Sequence, residues 1–137
     1  MPLIRTLGTR ALTMAVLVAA LSGCFSDPVG GGPRQAGEMT ATVVSPNGDE
    51  GSAILEVASG TIVAVGSTES YTQVYGVATA PARVVVVRLE PGEIALHLVA
   101  ADVNHPPELR VVQVAGPDNA LRTDLSGYSV RLSGGGS

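Results

Sequence analysis

The sequence predicts an all-β fold, an antiparallel β-sandwich of seven to eight short strands, jelly-roll or immunoglobulin-like. Three observations point to it. The chain has 137 residues, 45% of them hydrophobic but only 3% aromatic, so its core must be built from Val, Ala, Leu and Ile. Seventeen glycines and nine prolines cut it into short segments at turn-forming clusters. Beyond the first two dozen residues, no stretch keeps a helical period, whereas several alternate with a period of two.

The strands follow in order. Met39 to Val44 is a first strand, closed by the turn Ser45-Pro46-Asn47-Gly48. Ala53 to Ala58 alternates, with Ile54 and Glu56 on one face and Leu55 and Val57 on the other. Ser59-Gly60 turns the chain into Thr61 to Val65, and a polar loop leads on to Tyr71 to Ala78. That segment puts Tyr71, Gln73, Tyr75 and Val77 on one side, and Ala80-Pro81 ends it. Arg83 to Leu89 carries four consecutive valines, the pattern of a central strand covered on both faces. Glu90-Pro91-Gly92-Glu93 reads as a β-turn, which makes Ile94 to Ala100 the hairpin partner of the preceding strand, with Ile94, Leu96, Leu98 and Ala100 inward. After the rigid Asn104-His105-Pro106-Pro107 loop come Glu108 to Ala115, a stop at Gly116-Pro117-Asp118-Asn119, and a last strand from Tyr128 to Leu132. A closed barrel is the rival architecture.

The N-terminus has a different character. Arg5 and Arg10 supply positive charge, and no acid precedes Asp27. Ala11 to Leu21 is apolar except for Thr13, well short of the roughly 20 residues that cross a bilayer. Small residues then lead to Cys24. This is the layout of a cleaved export signal. Leu21-Ser22-Gly23-Cys24 resembles the lipobox of bacterial lipoproteins. That resemblance implies cleavage between Gly23 and Cys24 and a diacylglycerol thioether, often with a further acyl chain such as palmitate, on Cys24. Residue 25 is Phe, not the Asp that often holds such proteins at the inner membrane. The expected location is therefore the cell envelope, lipid-anchored and extracytoplasmic, in the outer membrane where the cell has one. Two or more acyl chains anchor stably where one does not. Cys24 is the only cysteine, so no disulfide is expected in the mature chain.

These boundaries divide the chain into a signal peptide (1–23), a lipidated Cys with a Gly- and Pro-rich flexible tether (24–37), a sandwich domain (38–132) and a disordered tail (133–137). The sequence contains no lysine, and after Cys24 six arginines face twelve acids, a net charge of about −6 with both histidines neutral. Such a domain has no basic footprint for nucleic acid. The expected partners are the membrane, through the lipid, and a protein or a polysaccharide.

No constellation in the sequence selects a chemistry. His97 and His105 are the only histidines, too few for a transition-metal site without other ligands. Asp49, Asp102 and Asp118, each in a different loop, are weak calcium candidates, although Asp and Asn also populate turns for local backbone reasons. No Gly-x-Ser-x-Gly elbow occurs. Glu56 and Glu69 are the imaginable carboxylate pair, but nothing favours them, so no cofactor and no enzyme activity are expected. A small hydrolase is the least favoured alternative. Tyr71 and Tyr75, about 13 Å apart on one strand face at the usual rise, are weak candidates for a glycan platform.

From Gly51 to Leu125 the chain has a limited resemblance to cohesin-type and related carbohydrate-binding-module sandwiches. It is carried by Ser52 to Val57, Arg83 to Leu89, Pro91 to Leu98, Pro107 to Val112 and Gly116-Pro117-Asp118. These are strand-and-turn patterns, not site motifs, and the chain is shorter than a typical cohesin. The resemblance implies a jelly-roll-like sandwich with a noncatalytic binding role, and it transfers no binding residues.

Overall fold

A computed structural model describes residues 32–77 and 80–134. The signal segment, the Gly23–Cys24 cleavage position and most of the tether lie outside the described residues. Eight strands are present: β1 (Gly37–Val44), β2 (Glu50–Ser59), β3 (Ile62–Ser67), β4 (Thr72–Val77), β5 (Arg83–Gly92), β6 (Ala95–Ala100), β7 (Glu108–Ala115) and β8 (Ser129–Gly134). They form two four-stranded antiparallel sheets, ordered β3-β6-β1-β8 and β4-β5-β2-β7. The fold is the predicted all-β sandwich. The pairs β1·β8, β2·β7, β3·β6 and β4·β5 nest like the legs of one long hairpin ribbon, and β1·β6 and β2·β5 close it. This nesting is of the jelly-roll kind.

The core lies between the sheets and, among the described residues, contains no fully buried aromatic ring. The first sheet contributes Met39, Ala41 and Val43 from β1 with Leu96, Leu98 and Ala100 from β6. The second contributes Ala53, Leu55, Val84, Val86, Leu109 and Val114. β-Branched and leucine side chains interdigitate well on pleated surfaces, so a small domain can close without Trp or Phe. Two glycines are required by close approach. A Cβ on Gly51 would stand 2.7 Å from the carbonyl oxygen of Gly116. At Gly60, φ is +79° and a Cβ would stand 2.6 Å from the Cα of Pro107, which no L side chain accommodates.

The expected hairpin between Arg83–Leu89 and Ile94–Ala100 does not form. β5 pairs with β2 and β4 in one sheet, while β6 pairs with β1 and β3 in the other. The Glu90–Glu93 segment is not a hairpin turn: β5 runs on to Gly92, opposite Glu50. The physical reason is Arg88, whose side chain is only 11% exposed. Its Nε donates to the carbonyl of Glu90 (2.9 Å) and its Nη1 to that of Glu93 (2.7 Å). The chain therefore wraps around the guanidinium instead of reversing. Ile94, 2% exposed, then crosses between the sheets, with its carbonyl accepting from the amide of Val43.

The strand bounds also differ at both ends from the domain bounds read in the sequence. Gly37 already pairs with Ala100, and Ser133 and Gly134 pair with Thr40 and Met39. Gln35 is held as well: its amide donates to Asp102 (3.3 Å) and its carbonyl accepts from Val103 (2.7 Å). Ordered backbone thus replaces the last residues of the expected tether and the first two of the expected tail.

Candidate functional site

The strand directions give the sandwich two ends. The chain enters at the end that carries the β2–β3, β4–β5 and β6–β7 connections. The β1–β2, β3–β4, β5–β6 and β7–β8 connections occupy the opposite end. At that opposite end Glu50, 1% exposed, opens β2. Its carboxylate accepts from the hydroxyl of Tyr128 (2.5 Å), the hydroxyl of Ser45 (2.7 Å), and Nε and Nη2 of Arg122 (3.1 and 3.0 Å). Asn47 donates to the Tyr128 oxygen at 2.8 Å. Burial pushes the Glu50 carboxyl up, but the hydrogen bonds from Tyr128, Ser45 and Arg122 outweigh it and hold the group below the usual glutamate range. Glu50 in turn raises the Arg122 guanidinium. The cluster fastens the β1–β2 turn and the long β7–β8 connection onto the start of β2.

A second charged cluster lies on the outer face of the β4-β5-β2-β7 sheet. Glu56 stands between Arg83 and Arg110, with Arg83 Nη2 at 3.3 Å and Arg110 Nε at 3.0 Å. The hydrogen bond from Arg110 is the largest influence holding its carboxyl low, assisted by Arg83. Every buried side-chain nitrogen and oxygen among the described residues has a hydrogen-bond partner, so neither cluster leaves a polar atom aimed into empty space.

The residues singled out in the sequence do not converge. Glu56 lies toward the chain-entry end, whereas Glu69 sits in the β3–β4 connection and pairs with Arg88 at 3.3 Å; each carboxylate has its own cation. Asp102 accepts from the amides of Gln35 and Asn104 and lies 3.0 Å from His105 Nδ1. His105 is the leading influence keeping its carboxyl low. Asp118 accepts from the amide of Ala120 within its own turn (3.1 Å), the local role such residues take in loops. Asp49 is exposed in the β1–β2 connection. Asp49 and Asp118 therefore share one end of the sandwich, and Asp102 occupies the other. Among the described residues, no three His, Cys, Asp or Glu are grouped so as to hold a metal ion. His97 faces outward from the other sheet, its Nδ1 3.4 Å from the Thr40 hydroxyl.

Tyr71 and Tyr75 are brought to one exposed face, as the alternation implies, and stand 52% and 56% exposed. Around them on the same sheet, Leu89 and Val77 are also exposed, and Val85, Val87 and Ile54 are half-buried. The Tyr75 hydroxyl donates to Gln73 Oε1 at 2.8 Å. The roles of Arg122 and Tyr128 escape a reading of the sequence because their partner Glu50 lies far away in the chain, and that of Arg88 because its nearby partners are backbone carbonyls. Only the isolated arginines inside otherwise apolar or turn-rich segments hint at them.

The surface among the described residues also carries shallow hollows. One, of about 270 Å³, is lined by Thr42, Ser45, Asp49, Glu93 and Arg131. Another, of about 240 Å³, lies over Ala64, Gly66, His97 and Val99. Compared with known proteins, the chain matches no family model, no curated protein and no solved structure.

Proposed function

We propose that this protein is a membrane-anchored bacterial lipoprotein whose β-sandwich is a noncatalytic, extracytoplasmic binding or structural domain. The observation that carries the anchoring is the Leu21-Ser22-Gly23-Cys24 segment behind a short apolar run with a basic start. Lipid on Cys24 makes the membrane its first partner, in the outer membrane where one exists, since residue 25 is Phe. Among the described residues Gln35 is the first hydrogen-bonded into the sandwich, and about ten residues separate it from Cys24. That spacing spans at most roughly 35 Å when fully extended, enough to lift the domain clear of a lipid headgroup layer.

What supports a noncatalytic role is the use made of the ionisable groups. Glu50, Glu56, Arg88 and Arg122 each hold strands or connections together through several hydrogen bonds. General acid–base work needs a group within reach of a substrate and free to exchange its proton. A glycan-binding role is the second reading, favoured by the exposure of Tyr71 and Tyr75 on one face.

The anchoring is tested in cells by Cys24→Ala and by a globomycin-type inhibitor of the lipoprotein peptidase. Either treatment should leave an uncleaved precursor, and Cys24→Ala should abolish incorporation of labelled palmitate. Normal processing of Cys24→Ala would refute the anchoring.

A further inference from the structure

We infer that the outer face of the β4-β5-β2-β7 sheet is a binding surface for an uncharged, linear glycan lying along β4. This deepens the glycan reading above and rests on it, and it extends the site from two tyrosines to a face of definite chemistry. Three rows of residues build that face. Tyr71, immediately before β4 with its carbonyl accepting from the Leu89 amide, is followed on β4 by Gln73, Tyr75 and Val77. Behind them β5 presents Leu89, Val87, Val85 and Arg83, with Gln73 opposite Val87, Tyr75 opposite Val85 and Val77 opposite Arg83. β2 follows with Ser52, Ile54 and Glu56.

Aromatic rings are scarce in this chain, which makes their placement informative. Of the three tyrosines, Tyr128 is tied into the Glu50 cluster. Of the other two, Tyr75 stands on the edge strand β4 and Tyr71 immediately precedes it, both more than half exposed. They are in line along the strand, about 13 Å apart at the usual rise, which suits a polymer running parallel to β4. The hydrogen bond from the Tyr75 hydroxyl to Gln73 Oε1 restrains the ring beforehand and leaves the Gln73 amide nitrogen as a donor beside it. Restraining a side chain in advance lowers the entropic cost of binding. The C–H faces of pyranose rings pack on aromatic faces by dispersion and burial of apolar area.

The charges on the face select the kind of glycan. Arg83, Arg110, Glu56 and Glu108 lie at its chain-entry side, and they balance one another. Both arginines bond Glu56, and Glu108 accepts from Ser59 at 3.4 Å. These four charges sum to zero on a domain of net charge about −6, and charges beyond about 8 Å are screened at physiological ionic strength. A neutral, hydroxyl-rich chain gains donors and acceptors from these groups without meeting an unbalanced charge. An acidic polymer finds no excess of cations to hold it. The outer face of the opposite sheet lacks a platform of this kind: Thr40, His97, Arg131 and Ser133 occupy it, with no tyrosine.

The test is affinity electrophoresis of the full-length chain, in detergent, through native gels cast with hydroxyethyl cellulose, xylan, mannan or polygalacturonate. At least one neutral polymer should retard the protein, and polygalacturonate should not. Tyr71→Ala with Tyr75→Ala should weaken the retardation at least tenfold at an unchanged melting temperature. Tyr75→Phe should retain most of it. Thr40→Ala with His97→Ala, on the opposite face, should leave it intact. Retardation by none of the neutral polymers, or equal retardation of the double tyrosine variant, overturns the inference. Stronger retardation by polygalacturonate overturns the neutral assignment. A tyrosine-dependent shift from dimer to monomer in sedimentation gives the face to a second copy of the chain, and overturns it too. Processing at Cys24 is read separately, so failure here and failure of the anchoring are distinguishable.

Discussion

Each end of the sandwich is closed around one carboxylate that gathers several hydrogen bonds, yet the two differ in what surrounds them. Glu50 takes four bonds from Tyr128, Ser45 and Arg122 and is almost wholly buried, its side chain 2% exposed. Asp102, its side chain 15% exposed, takes two backbone bonds and lies beside His105, whose side chain is 70% exposed. Glu50 has the larger number of bonds, and losing them costs more. A buried acceptor whose donors vanish keeps its full desolvation penalty, whereas one that keeps some contact with water is partly rehydrated. The end opposite chain entry is therefore the more committed one, and at the entry end water can replace part of what Asp102 holds.

Glu50→Gln tests this contrast most severely. It removes the charge that Arg122 faces inside the structure. It should cost about 3 kcal/mol, toward the low side for a broken buried pair because Arg122 keeps contact with solvent. Chemical denaturation measures it, and a loss no larger than that of Asp102→Asn breaks the comparison. Tyr128→Phe deletes one hydroxyl from the same cluster and should cost about 1–2 kcal/mol, again by denaturation midpoint.

The pH dependence of stability should carry the same signature. The folded-state Glu50 carboxyl is depressed. Its contribution is thus fully present above the ordinary glutamate pKa, about 4.3, and is lost as pH falls through the lower folded value. Glu56, Asp102 and Asp124 are depressed as well, so they act with the same sign. Melting temperature should be level from about pH 5 to 7 and fall below about pH 4. The fall should be shallower in Glu50→Gln; an identical acid limb in that variant would show that other carboxylates govern it. The smallest effect belongs to Asp102→Asn, which keeps an acceptor for the Gln35 and Asn104 amides. Its melting temperature should shift less than that of Tyr128→Phe.

The strands were legible because their signal is local. The alternation in Ile94–Ala100 correctly places Leu96, Leu98 and Ala100 inward, and Tyr71 to Val77 correctly shows one exposed side. β7 begins and ends where its flanking Pro107 and Gly116 say it should. The valine run of β5 marks a central strand, as found, although only Val84 and Val86 are fully buried while Val85 and Val87 are half-covered. The hairpin expectation failed because adjacency in sequence was read as pairing in space. Nothing local to Glu90–Glu93 reveals that Arg88 will bind two of its carbonyls and send the chain to the other sheet. The candidate site divides in the same way. The shared face of Tyr71 and Tyr75 follows from strand parity alone, but its neutral floor needed Arg110, more than fifty residues from Glu56 along the chain.

By itself, then, the sequence determined the all-β class, the number and approximate limits of the strands, the faces of β2, β4 and β6, and the grounds for proposing an anchor at Cys24. These rest on period-two alternation, turn chemistry and a contiguous motif, all of which act over a few residues. Only the tertiary structure decided which strands pair and how Glu50 is buried with Arg122 and Tyr128. It also decided that the three candidate calcium aspartates fall at different ends or into their own turns. Those outcomes depend on long-range pairing, where burial and the satisfaction of buried polar groups outweigh any local preference.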